Sequence, residues 1–125
     1  MPSYLIQTKY TAEGLKGVMQ DKASGRKAEV TSTVTGLGGK VESLYYCFGD
    51  YDVILIANLP DNVTAAALAF ALSAWGHARA KTTPLLTVEE TDQALEKKVE
   101  YRGPGQYVAC PGFRLPADAK AKSSA

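Results

Sequence analysis

Gly49-Asp50-Tyr51-Asp52 separates two strongly apolar runs, Leu44-Tyr45-Tyr46-Cys47-Phe48 and Val53-Ile54-Leu55-Ile56-Ala57. Aromatic and β-branched residues favour strands, and Gly and Asp favour reversals, so this stretch reads as a hairpin with strands at about 40–48 and 51–59. Along the later strand Val53, Leu55, Ala57 and Leu59 point one way and Ile54 and Ile56 the other, which makes both faces of the sheet apolar near its centre.

The rest of the chain supplies the partners for this hairpin. Tyr4 to Tyr10 alternates Tyr4, Ile6, Thr8 and Tyr10 against Leu5, Gln7 and Lys9, a strand pattern. Thr11 is placed to cap a helix with Glu13 in its first turn. Leu15, Val18, Met19, Ala23, Val30, Val34 and Leu37 continue it at helical spacing to Gly38-Gly39, with Gly25 weakening the middle. Pro60-Asp61 opens a second helix that stops at Gly76 and carries no charge from Asn62 onward. A fourth strand at about 78–88, interrupted at Pro84, leads into a short charged helix ending near Tyr101.

Strand, helix, strand, strand, helix, strand with right-handed crossovers predicts an α+β, ferredoxin-like βαββαβ sandwich with a four-stranded antiparallel sheet. Two helices cover one face only. The second apolar face calls for a second copy of the sheet, so the expected state is a homodimer or higher homo-oligomer. Residues 1–101 are expected to form this domain and 102–125 a C-terminal extension. In that extension the apolar Gly103–Phe113 stretch is expected to dock, and Ala117–Ala125 to be disordered.

Composition narrows the function classes. In 125 residues, 14 Lys and Arg against 13 Asp and Glu leave a net charge of +1, which lacks the concentrated basic surface of a nucleic-acid or anionic-membrane binder. No apolar stretch is long enough to span a bilayer. With no signal-peptide pattern at Met1-Pro2-Ser3-Tyr4, the expected compartment is the cytoplasm, with Cys47 and Cys110 as reduced thiols.

Ser43–Ile54 resembles the motif of the GYD-domain family, named for a Gly-Tyr-Asp-type sequence. The Pro60-Asp61 helix start with its Ala-rich run and the Trp75–Thr82 segment extend the resemblance over roughly residues 3–93. The family pattern usually has Glu where this chain has Asp50. The resemblance implies a bacterial protein whose ferredoxin-like domains pair into a dimeric α/β barrel, and it implies a fold and an oligomer rather than a reaction.

The candidate site residues gather on or beside the sheet. Asp52 is a candidate general base or ligand anchor with Tyr51 as a phenolic donor, although turn geometry alone also accounts for the motif. His77, the single histidine, is the candidate acid or base and could serve as an axial haem ligand in a barrel large enough for porphyrin; no cofactor and no metal site is expected. Arg79 alternates with His77 and Lys81 in a cationic row that suits a carboxylate or phosphate, or equally the solvated side of an edge strand. Tyr46, Tyr51, Trp75 and His77 form a candidate set for holding a flat ligand, by analogy of fold only, while the other tyrosines read as core. Lys9 is placed to meet Asp52 or an anionic ligand, and Cys47 reads as a structural thiol. The basic positions of the first helix, Lys16, Lys22, Arg26 and Lys27, read as its solvent face.

Two functions remain: a small-molecule barrel, either a binding protein or a cofactor-independent enzyme, and a structural or regulatory homo-oligomer with a filled interior. A cavity large enough for a ligand separates them.

Overall fold

The architecture follows from the alternation in β1 (Ser3–Tyr10) and β3 (Val53–Asn58), the two central strands. A computed structural model describes residues 1–105. In sequence order the elements are β1, α1 (Ala12–Gly36), β2 (Lys40–Tyr46), β3, α2 (Asn62–Ala74), β4 (Ala78–Leu85) and α3 (Val88–Glu96). The strands form one antiparallel sheet in the order β2-β3-β1-β4. This is the expected βαββαβ sandwich, and it divides after Thr87: Met1–Thr87 is one compact unit, and α3 begins a second.

One face of the sheet carries the core. Tyr4, Ile6, Leu55 and Ala57 pack there against Val34 of α1 and Ala65 and Leu68 of α2, with Leu59 closing the end. Burying each large aliphatic or aromatic side chain contributes about 1.5–3 kcal/mol, so this single layer of contacts accounts for most of the drive to fold. The register places Leu5, Gln7 and Lys9 on the opposite face, beside Ile54, Ile56 and Tyr45, with Arg79, Lys81 and Thr83 along β4. Both apolar faces inferred from the β3 alternation are therefore present.

Several boundaries differ from the sequence reading, each for a local reason. β2 and β3 are shorter than expected because residues 47–52 form an irregular loop in place of a tight reversal, with Gly49 at φ 119°. In α1 the break falls at Lys22, whose backbone is at φ 69° and ψ 164°, and not at Gly25. β4 runs through Pro84 to Leu85; as an edge strand it has one side with no ladder to complete, so the missing N–H is tolerated. α3 ends at Glu96. The expectation that most sheet tyrosines are core holds for Tyr4, whereas Tyr45 is 69% exposed. The uncharged α2 buries Ala65 and Leu68 and leaves Val63 and Phe70 exposed.

The caps behave as their residue types require. Thr11 accepts the Gly14 N–H at 3.2 Å, and Asp61 accepts the Thr64 N–H at 2.8 Å and its hydroxyl at 2.7 Å. Those bonds hold the Asp61 carboxyl below its ordinary range, the backbone N–H more than the hydroxyl. Gly76, at φ 76°, ends α2 in the left-handed conformation that a side chain would disfavour. The expectations for docking of Gly103–Phe113, for Cys110 and for the last residues lie outside the described residues, apart from Gly103–Gly105.

Candidate functional site

Between the sheet and the two helices lies a cavity of about 200 Å³. Its floor comes from alternate residues of β1 and β3, Ile6, Thr8 and Tyr10 with Val53 and Leu55, which the pleat directs to the helix side. Its roof comes from Arg26, Val30 and Val34 of α1, spaced four apart on one helix face, and from Leu68 and Leu72 of α2. Small side chains at Ala71 and Ala78 leave the space unfilled. Trp75, 80% exposed, and His77 complete the lining where α2 hands over to β4.

The interior is apolar and the mouth is polar. Tyr10, Arg26 and His77 line both this cavity and a shallower groove floored by Glu13, Gly14, Gly17 and Asp21, so these three residues mark the passage between them. Thr8, 8% exposed, contributes a hydroxyl to the wall.

Two features of α1 set the geometry of the mouth. At its start, Thr11 donates its N–H to the His77 carbonyl at 2.9 Å and its hydroxyl to the Gly76 carbonyl at 2.9 Å. Gly14 packs so closely on the His77 carbonyl that a Cβ there would overlap the oxygen. This glycine lets the helix touch the 76–77 bend, and the approach fixes where His77 stands. At Lys22 the helix breaks in a φ/ψ region that is essentially reserved for glycine. Tyr46 donates to the Ala23 carbonyl just past the break at 3.2 Å, and Asp21 reaches across the break to Arg26 at 3.7 Å. Partial burial raises the Tyr46 phenol above its usual range, nearby Tyr10 adds to the shift, and Arg26 opposes it.

Asp52 and Lys9 lie apart from this cavity. The Asp52 carboxylate accepts the Tyr10 N–H at 2.9 Å and Lys9 Nζ at 3.3 Å, while its own N–H donates to the Thr8 carbonyl at 2.8 Å. Lys9 also donates to the Gly49 carbonyl at 3.1 Å. Cys47 donates its thiol to the Tyr51 carbonyl at 3.1 Å, so Tyr51 and Cys47 brace the same loop. Arg79 pairs directly across from Lys9, with Lys81 opposite Gln7, on the face away from α1 and α2.

The candidates therefore separate into two groups. Trp75 and His77 belong to the cavity, and Tyr46 holds the break in α1 near its mouth. Lys9, Asp52, Tyr51 and Arg79 belong to the 47–52 loop and the other face. His77 does not share the Arg79 and Lys81 row, because β4 begins at Ala78 and the strand alternation does not extend back to it. Sequence reasoning missed Tyr10 and Arg26 as lining residues. The signal for Arg26 was its four-residue spacing with Val30 and Val34, outweighed by reading every lysine and arginine of α1 as solvated. Among the described residues, no group of three or more His, Cys, Asp or Glu is placed to hold a metal ion. None of their helices is long and apolar enough to cross a membrane.

A four-stranded antiparallel sheet in βαββαβ order, with both crossover helices on one face and a cavity beneath them, defines a ferredoxin-like α+β protein. The family model of the GYD domain matches residues 4–95, and the chain belongs to that family. No curated protein matches it.

Proposed function

We propose that this protein is a homo-oligomer that binds a small molecule between its sheet and its helices. The observation that carries the reading is the cavity of about 200 Å³, apolar within and gated by Tyr10, Arg26, Trp75 and His77. A filled layer would leave no such space, since protein interiors pack to about 0.75 of their volume with few voids larger than a water molecule. In this reading His77 is the group that gives or takes a proton at the mouth, which would make the site a cofactor-independent enzyme if the bound molecule reacts. Tyr46 and Trp75 frame the entrance. Lys9, Asp52, Tyr51 and Arg79 act at the same end of the sheet outside the cavity, where the Asp52 hydrogen bonds favour a bracing role for the 47–52 loop.

The oligomer forms through the other face of the sheet. Leu5, Ile54 and Ile56 are brought side by side by the register, and a second copy of the same surface removes them from water. The Lys9, Arg79 and Lys81 side chains then ring the apolar centre of a two-sheet barrel.

Native mass spectrometry of protein purified from its host tests both parts at once. The expected result is a dimer or a multiple of it that releases a small molecule on mild denaturation. An oligomer with nothing bound, together with no response to added small molecules, would move the assignment to a structural or regulatory assembly. An Ile56→Lys variant that remains the same oligomer by light scattering would refute pairing through this face.

A further inference from the structure

We propose that the ligand of this cavity is a monoanion with a compact apolar body, a carboxylate of roughly ten non-hydrogen atoms, held by Arg26 at the mouth. The inference rests on the ligand-binding reading above and names the chemical class that this reading leaves open.

Charge and hydrogen-bonding capacity at the mouth point to an anion. The Arg26 side chain is only 30% exposed, yet its nearest acidic oxygen is Asp21 Oδ2 at 3.7 Å, beyond hydrogen-bond length. Guanidinium carries five N–H donors in a planar fork, and with the side chain partly buried at the mouth they face water that a ligand can replace. No hydrogen bond from Arg26 is made among the described residues. The fork matches a carboxylate in bidentate geometry, which lysine would not supply. Arg26 also stands where the interior begins, one helical turn before Val30 and two before Val34. The side chain therefore presents an anion-binding end to a largely hydrocarbon chamber.

The remaining polar groups fit the same ligand. Tyr10 and His77 flank Arg26 at the passage and can donate to a second carboxylate oxygen. Deeper in, among Val30, Val34, Leu55 and Leu72, the Thr8 hydroxyl can meet a neutral polar substituent, but a second charge on the ligand would be buried without an opposite charge. At a protein-like packing density of about 0.75, a 200 Å³ space accepts roughly ten carbon-sized atoms. Glu13 and Asp21 in the outer groove disfavour a second anionic group there, and among the described residues Arg26 is the one lysine or arginine that lines both spaces.

Phenylacetate and its uncharged counterpart phenylacetamide are matched probes, since both fit the volume and differ in charge. Titration into the full chain, followed by calorimetry and by the Trp75 indole N–H resonance, is expected to show phenylacetate binding more tightly than the amide by about tenfold. An Arg26→Gln variant, checked for native circular dichroism, should lose that preference, and Arg26→Lys should recover part of it. Val30→Phe, which projects a ring into the cavity, should abolish binding of both probes.

Equal affinity for acid and amide, or phenylacetate binding unchanged by Arg26→Gln, would overturn the anion assignment while leaving a ligand in the cavity. Binding unaffected by Val30→Phe would place the probes elsewhere and overturn it as well. Failure of both probes to bind would overturn the anion proposal and count against the ligand-binding reading on which it rests.

Discussion

Replacing Gly14 by alanine should destabilise the protein, although the same exchange in most helices stabilises them. Alanine is favoured over glycine in a helix interior by about 1 kcal/mol, largely because glycine loses more backbone freedom on folding. At Gly14 that gain meets the His77 carbonyl, which a Cβ would overlap, and the Tyr10 ring edge, 3.1 Å from the same point. The carbonyl is not free to withdraw, because it accepts the Thr11 N–H at 2.9 Å and the Thr11 hydroxyl at 3.2 Å. Moving it by the required distance of about 1 Å weakens bonds worth about 1 kcal/mol each and adds overpacking strain of about 1–3 kcal/mol. After the propensity gain, the net expectation is a loss of about 2–3 kcal/mol. Gly17, one turn later in the same helix, supplies the control: a Cβ there meets nothing within 4 Å. Gly17→Ala should therefore gain about 0.5–1 kcal/mol. Equilibrium urea unfolding at one protein concentration, with midpoints compared at constant slope, measures both. A Gly14→Ala variant as stable as the parent, or the two variants shifting in the same direction, would refute the close approach of α1 to the 76–77 bend.

Other predictions concern single sites. Lys22→Gly should stabilise by about 1 kcal/mol, because relief of about 1–3 kcal/mol of backbone strain exceeds glycine's entropic cost; Lys22→Ala, which keeps the strain, should not. Thermal unfolding of the two variants side by side decides this. Asp52→Ala should cost about 1–3 kcal/mol by leaving the Tyr10 N–H without its acceptor, and Asp52→Asn should cost less because a carbonyl oxygen remains. Removing Lys9 should cost under about 1 kcal/mol, since its pairing with Asp52 is half exposed. For Asp61, the folded carboxyl titrates below its ordinary value of 3.8. Its stabilisation is therefore complete above that value and lost as pH falls through the lowered one. Asp61→Asn, which still caps the helix, should flatten this part of the acid-unfolding profile while leaving stability near neutrality little changed. An unaltered profile below pH 4 would show that the cap does not titrate as described.

The sequence by itself determined the element order and the sidedness of the sheet. Both follow from short-range rules: Tyr4, Ile6 and Thr8 alternate with Leu5 and Gln7 because side chains on a strand alternate, and Thr11, Asp61 and Gly76 bound their helices through bonds made within a few residues. The cap and stop positions were legible for the same reason. What only the tertiary structure decided depends on groups distant in the chain. The cavity exists because Arg26, Val30 and Val34 of α1 come over Thr8, Tyr10 and Val53 of the sheet, and no local pattern records a space between them. Arg26 was hidden among lysines that look the same in a linear reading, and nothing in the residue type announces the break at Lys22. His77 and Arg79, two positions apart, are separated because the strand begins between them, and the contact of Gly14 with the His77 carbonyl is what fixes the bend on the cavity side. Local stereochemistry acts over a turn or a pleat and is written in consecutive residues, whereas a site is the meeting of several such elements, and where they meet depends on how the whole core packs.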